Sequence, residues 1–113
     1  MHGAFFMQQK EVIILRIGTT PTHTFTLPAN IANTVSKVRV IYAQGNAVVL
    51  TKDVTQLTGN DVVLKLTQEE TLKFHYRKPI EIQLRVLKDD GDVLSSDILT
   101  RSPYECLEKD VLT

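Results

Sequence analysis

The sequence predicts an all-β fold of two packed layers, and three observations lead there. The chain holds 13 Thr, 12 Val and 8 Ile against only 5 Ala, and β-branched side chains suit a pleated surface better than a helix. Several segments alternate apolar and polar residues with a period of two, which turns one face of a strand inward. Turn signals separate these segments at roughly even intervals, as in a sandwich or a small barrel.

The predicted elements run as follows. Residues 11–17 form the first strand, where Val12, Ile13, Ile14 and Leu15 are continuously apolar, so that both faces are greasy. Gly18-Thr19-Thr20-Pro21 is a turn signal. In the second strand, 22–27, His23, Phe25 and Leu27 share one face and three threonines the other. Pro28 and the stretch 30–33 interrupt the pattern. In the third strand, 36–42, Val38, Val40 and Tyr42 oppose Lys37 and Arg39. Gln44-Gly45-Asn46 predicts a tight hairpin into a fourth strand, 47–52, because Gly takes positive φ at no steric cost. After the turn at 58–61 comes a fifth strand, 62–66, with Val62, Leu64 and Leu66 inward.

Thr67-Gln68-Glu69-Glu70 matches a capping box, in which the Thr67 hydroxyl and the Glu70 carboxylate each satisfy the other residue's free amide. About two helical turns fit before Pro79, with Leu72 and Phe74 tucked under the sheets. The sixth strand, 80–88, is the cleanest: Ile80, Ile82, Leu84 and Val86 alternate with Glu81, Gln83 and Arg85. Asp89-Asp90-Gly91-Asp92 turns it into a seventh, 93–100. Ser102-Pro103-Tyr104-Glu105 repeats the capping pattern with Pro at the first helical position, which predicts a short C-terminal helix. A helical turn between strands five and six suits a crossing between sheets. The prediction is therefore a seven-stranded immunoglobulin-like antiparallel β-sandwich with a short helix at that crossing. It occupies residues 11–101, between an N-terminal leader (1–10) and a C-terminal extension (102–113).

At 113 residues the chain is one domain, long enough to bury its own core. Thirteen basic residues balance 13 acidic ones, so no global field draws in nucleic acid or an anionic membrane. The single cysteine, Cys106, excludes an intrachain disulfide and a cysteine-based zinc cage. The N-terminus lacks the apolar stretch, basic start and cleavage site of a secretory signal. Its first residues read as a disordered leader, or as an extension upstream of a natural start at Met7. No run approaches the roughly 18 apolar residues of a membrane helix. The expected location is the cytoplasm at synthesis.

Chemistry-bearing patterns are sparse. His2, His23 and His75 have no metal-ligand spacing. Asp89, Asp90 and Asp92 flank Gly91 without the spacing of a calcium loop, and read as a solvated hairpin turn. Residues 74–78 interleave aromatic and basic side chains as nucleic-acid surfaces do. Phe74 is needed for the core, however, and Glu69, Glu70 and Glu81 cancel the local charge. Cys106 has neither a base nor an orienting group in its sequence neighbourhood. The reading names no catalytic residue, no cofactor, no metal ligand and no nucleic-acid or membrane partner, and expects no enzyme.

Residues 17–97 carry a resemblance. The signals are Ile17-Gly18-Thr19-Thr20-Pro21, Phe25 and Leu27, Val38-Arg39-Val40 and Tyr42, then Leu66-Thr67-Gln68-Glu69-Glu70-Thr71-Leu72 with Phe74, Ile82-Gln83-Leu84-Arg85-Val86, Asp90-Gly91 and Ser96-Asp97. They resemble small all-β proteins of phage and prophage regions in Gram-positive bacteria. The layout is similar to the immunoglobulin-like N-terminal domain of phage baseplate upper proteins. The resemblance implies a non-enzymatic structural or assembly role in a phage-like particle, as a tail or baseplate accessory protein. A small module that binds a carbohydrate or peptide is the alternative. The doubly apolar first strand adds an expectation of its own: Ile13 and Leu15 face outward and are covered by a second copy or another particle protein. The competing cover is Phe5 and Phe6, or the segment around Leu107, folded back from the same chain.

Overall fold

The computed structural model describes residues 3–6 and 13–113. Among these, the strands are β1 (Ala4–Phe5), β2 (Thr22–Thr26), β3 (Val35–Gln44), β4 (Ala47–Val54), β5 (Asp61–Lys65), β6 (Ile80–Lys88), β7 (Val93–Ser96) and β8 (Leu99–Arg101). Two single-turn helices interrupt them, α1 (Ala29–Ala32) and α2 (Gln68–Thr71). The large sheet has the order β1-β7-β6-β3-β4, with β8 also pairing β6, and the small sheet is the antiparallel pair β2-β5. The large sheet is mixed, because β1 runs parallel to β7 while its other pairs are antiparallel.

The two sheets face each other across the core, as period-two patterning dictates. Val38, Val40, Tyr42, Ile82, Leu84 and Val86 line the large sheet's inner face, and Phe25, Leu27, Val62, Leu64 and Leu66 face them from the small sheet and its continuation. The β3–β4 hairpin turns on Gly45 (φ 57°) and Asn46 (φ 66°). Two successive positive φ values match the twist of the flanking strands. At the crossing from small to large sheet the capping box forms: the Thr67 hydroxyl accepts from the Glu70 amide at 3.1 Å, and the Glu70 carboxylate accepts from the Thr67 amide at 2.9 Å. Phe74 follows with 4% exposure, edge-on to Tyr42.

Several expectations are corrected. In place of seven antiparallel strands the described residues form eight with one parallel pair, and the helix at the crossing has one turn rather than two. Residues 13–17 do not form a sheet strand; their pairing is one parallel bridge between Arg16 and Tyr104. Glu11 and Val12 lie outside the described residues. The leader is partly structured, since β1 falls within it and Phe5 is buried in the core. Its remainder, including the alternative start at Met7, lies outside the described residues, apart from Gly3 and Phe6. No helix forms in 102–113. The Tyr104 amide donates to the Leu15 carbonyl at 2.9 Å, and its carbonyl accepts from Ile17 at 3.0 Å. The Tyr104 carbonyl that a helix would need is thereby spent between segments.

The expected seventh strand is two pieces. Arg85 pairs with Ser95 and Ile82 with Leu99, so three steps on β6 answer four on the returning chain. The extra residue is a bulge. There the Ser96 hydroxyl accepts from the Leu84 amide at 2.9 Å and replaces the missing ladder partner.

Candidate functional site

Period two on β3 and β6 also decides what the large sheet shows on its outer side. β3 presents Lys37, Arg39, Ile41 and Ala43, and β6 presents Glu81, Gln83, Arg85 and Leu87; none of the eight is buried. Register arranges them in rows across the sheet. Ala43 stands opposite Glu81 and Val48, Ile41 opposite Gln83 and Thr51, and Arg39 opposite Arg85 and Asp53. One end is a shallow depression lined by Ile41, Ala43, Val48 and Ile98 with Glu81 and Gln83 beside them. Val48 is 64% exposed and Ile98 54%. The other end gathers Lys37, Arg39 and Arg85 around Leu87 and Val93.

The charges on this face are unevenly satisfied. Arg39 donates to both Asp53 carboxylate oxygens, at 2.8 and 3.1 Å. That hydrogen bonding holds the Asp53 carboxyl below the ordinary carboxylate range and raises the Arg39 guanidinium. Arg85, directly across from Arg39, makes no ion pair among the described residues. Like charges directly opposite on neighbouring strands repel. An apolar patch beside an unneutralised cation is what a docking face offers, with burial for affinity and charge for register.

The edge of this sheet, by contrast, is blunted. β4 carries a bulge where its register with β3 shifts after Tyr42. Lys52, opposite the buried Val40, reaches the Glu70 carboxylate at 2.9 and 3.1 Å. Burial pushes Glu70 up, but the bonds from Lys52 and Thr67 outweigh it and its carboxyl falls below the usual range. A bulge and a charge pointed along the inner side both discourage strand addition.

The sequence-nominated residues are dispersed. His23 is buried, and its Nε2 lies 2.8 Å from the Ile14 carbonyl oxygen. A carbonyl can only accept, so Nε2 carries the proton, and Nδ1 accepts from the Tyr42 hydroxyl at 2.7 Å. Burial holds the imidazole below its ordinary pKa, the Ile14 carbonyl pulling the other way. Burial, then the Glu70 carboxylate, push the Tyr42 hydroxyl up. This is a satisfied core histidine that fastens residues 13–17 to the core through the Ile14 carbonyl.

His75 is exposed, and Tyr76 is crowded: His75 stacks on it, and Arg77 and Lys109 stand 5.3 and 5.2 Å from its ring centre. Asp89, Asp90 and Asp92 form an exposed turn in which the Asp92 amide donates to Asp90. Cys106 is half-buried against the core. Among the described residues no group of three or more His, Cys, Asp or Glu could hold a metal, and no helix is long and apolar enough to cross a membrane.

Ile13 and Leu15, expected on the outside, are 3% and 2% exposed within their own chain, whereas Ile14 is 51% exposed. The phase is reversed. With apolar residues at every position, alternation carries no information about direction. Neither Phe6 nor Leu107 is folded into the core: they are 80% and 96% exposed. The outer face of the large sheet was missed, although its signal was present. Ile41 and Ala43 continue the row begun by Lys37 and Arg39, and apolar residues on the polar side of an alternating strand mark a face that is not simply solvated. No protein family's sequence profile matches the chain, and no curated protein matches it.

Proposed function

We propose that this domain is a non-enzymatic assembly module, a structural or accessory component of a phage-like particle, and that it docks through the outer face of its large sheet. The observation that carries the reading is the apolar cluster of half-buried Ile41 and Ala43 with exposed Val48 and Ile98, one row along the strands from Arg85, which makes no ion pair among the described residues. The resemblance of residues 17–97 to phage-region proteins supplies the particle. An immunoglobulin-like layout is part of the same proposal. The order β4-β3-β6-β7 in one sheet, β2-β5 in the other and α2 at the crossing between them support it. The chain is made in the cytoplasm and taken up into the particle. Ile13 and Leu15 have no part in docking.

A carbohydrate- or peptide-binding module is less well supported. A sugar platform needs a free aromatic face; Tyr76 carries three neighbours against its ring, and the half-exposed Tyr104 carries the Arg16 guanidinium 5.1 Å from its centre. The test is mass spectrometry of particles released on prophage induction from the source cells and banded on a density gradient. The chain is expected to band with the particles. Its absence from them, with the chain detected in the cell extract, overturns the proposal.

A further inference from the structure

We infer that the outer face of the large sheet docks a second copy of this chain, with the strands of the two copies antiparallel across a two-fold axis. The inference rests on the docking reading above and names the partner. Three rows decide it. The central row holds Ile41 and Gln83, with Ile98 beside them. One step along the strands stands the row of Val48, Ala43 and Glu81. One step the other way stands the row of Asp53, Arg39 and Arg85.

A two-fold axis lying between the copies, perpendicular to the strands and crossing the central row, lays each strand over itself reversed. Ile41 then meets the partner's Ile41. Glu81 lies over the partner's Arg85, and Arg85 over the partner's Glu81. Arg39, already neutralised by Asp53, lies over the partner's Ala43. Arg85, which has no ion pair among the described residues of its own copy, thus receives a counter-ion from the other, twice by symmetry.

The alternative axis, parallel to the strands, lays Arg39 over the partner's Arg85 and Ala43 over the partner's Glu81. It sets like charges together and gives Arg85 no counter-ion, whereas the first arrangement pairs Arg85 with Glu81 twice and lays only Arg39 and Asp53, already paired with each other, over the partner's Ala43 and Val48, so electrostatics selects the first arrangement. Four strands about 4.8 Å apart and three overlapping rows about 6.8 Å apart give a footprint of roughly 400 Å² on each copy. That is a small interface, suited to micromolar rather than obligate association.

Light scattering and sedimentation on the full chain across a concentration series test the inference. The wild type is expected to dimerise in the micromolar range. Glu81→Arg alone and Arg85→Glu alone each set two like-charge contacts in the interface and should weaken association at least about tenfold. Both side chains lie on the outer face, so each variant should stay folded: Glu81→Arg should melt close to the wild type, and Arg85→Glu, which relieves the repulsion with Arg39, should melt no lower. The double variant Glu81→Arg/Arg85→Glu reverses both pairs and should restore the dimer. A wild type that stays monomeric at high micromolar concentration overturns the homodimer, as does a folded double variant that stays monomeric. Exclusion from purified particles is a separate result, and it bears on the assembly role instead.

Discussion

Replacing Tyr42 by Phe removes one oxygen from the centre of the molecule and leaves the packing volume almost unchanged. In the wild type that oxygen donates to His23 Nδ1 at 2.7 Å, and both residues are essentially fully buried. The variant loses a bond of about 1 kcal/mol and leaves Nδ1 as a desolvated acceptor, a penalty of about 1–3 kcal/mol. Removal of the phenol's own desolvation offsets part of this, so the net loss is about 2 kcal/mol. For a chain of this length that lowers the melting temperature by roughly 10 °C.

The same contact makes stability depend on pH, because Nδ1 can accept only while it is unprotonated. Burial lowers the folded-state pKa of His23, whereas the unfolded chain takes a proton near pH 6.5. The unfolded state therefore binds more protons below that value. Stability is complete above pH 6.5 and is lost as pH falls, by at most about 1.4 kcal/mol per unit. Asp53 and Glu70 are both held below the ordinary carboxylate range, and they withdraw their contributions only at lower pH. The interval from pH 7 to pH 5 thus belongs to histidine. Urea unfolding followed by circular dichroism measures it, with His23→Gln at each pH as the subtraction. A wild-type stability no steeper than that of His23→Gln would refute the buried neutral relay, and so would a Tyr42→Phe cost under about 0.5 kcal/mol.

Three further outcomes are expected. Phe74→Ala empties a buried site against Tyr42 and should cost about 3–5 kcal/mol, while Thr67→Ala removes one cap at about 1 kcal/mol; equilibrium urea unfolding that ranks them the other way contradicts the packing at the crossing. Asn46→Val places a β-branched side chain at φ 66° and should cost about 1–2 kcal/mol, whereas Asn46→Gly should be near neutral, both read from thermal melts. Calorimetric titration with calcium should find nothing tighter than millimolar at the turn of Asp89, Asp90 and Asp92; micromolar binding abolished by Asp90→Ala would assign that turn a metal.

Much of the β architecture was legible locally. β2, β3, β5 and β6 each alternate, and a strand with one buried face must write that alternation into its sequence. The capping box at Thr67 and the turn at Gly45-Asn46 were legible for the same reason: each is satisfied within four or five residues. The docking face was half legible. Lys37 and Arg39 were read as outward, but their meaning depends on Asp53 and Arg85 from neighbouring strands, which register alone brings together.

Long-range contacts made the choices that local rules leave degenerate. Residues 12–15 are apolar at every position, so the inward phase was set by contacts distant in sequence, with His23 fastening the Ile14 carbonyl and Tyr104 taking up Leu15 and Ile17. The capping pattern at Ser102 is as good locally as the one at Thr67. A helix of one or two turns is marginal by itself, and α2 has Thr71 buried beneath it to hold it in place, whereas 102–113 found pairing along residues 15–17 instead. Two strand residues at Ala4 and Phe5 carry too little pattern to announce themselves; β7 supplied the edge and the core supplied the pocket for Phe5. Which residues suit a sandwich and where the chain turns are legible locally, because those preferences are set over a few bonds. The pairing of its two ends, and the face left open for a partner, were decided by hydrogen-bond and packing competition across the whole chain.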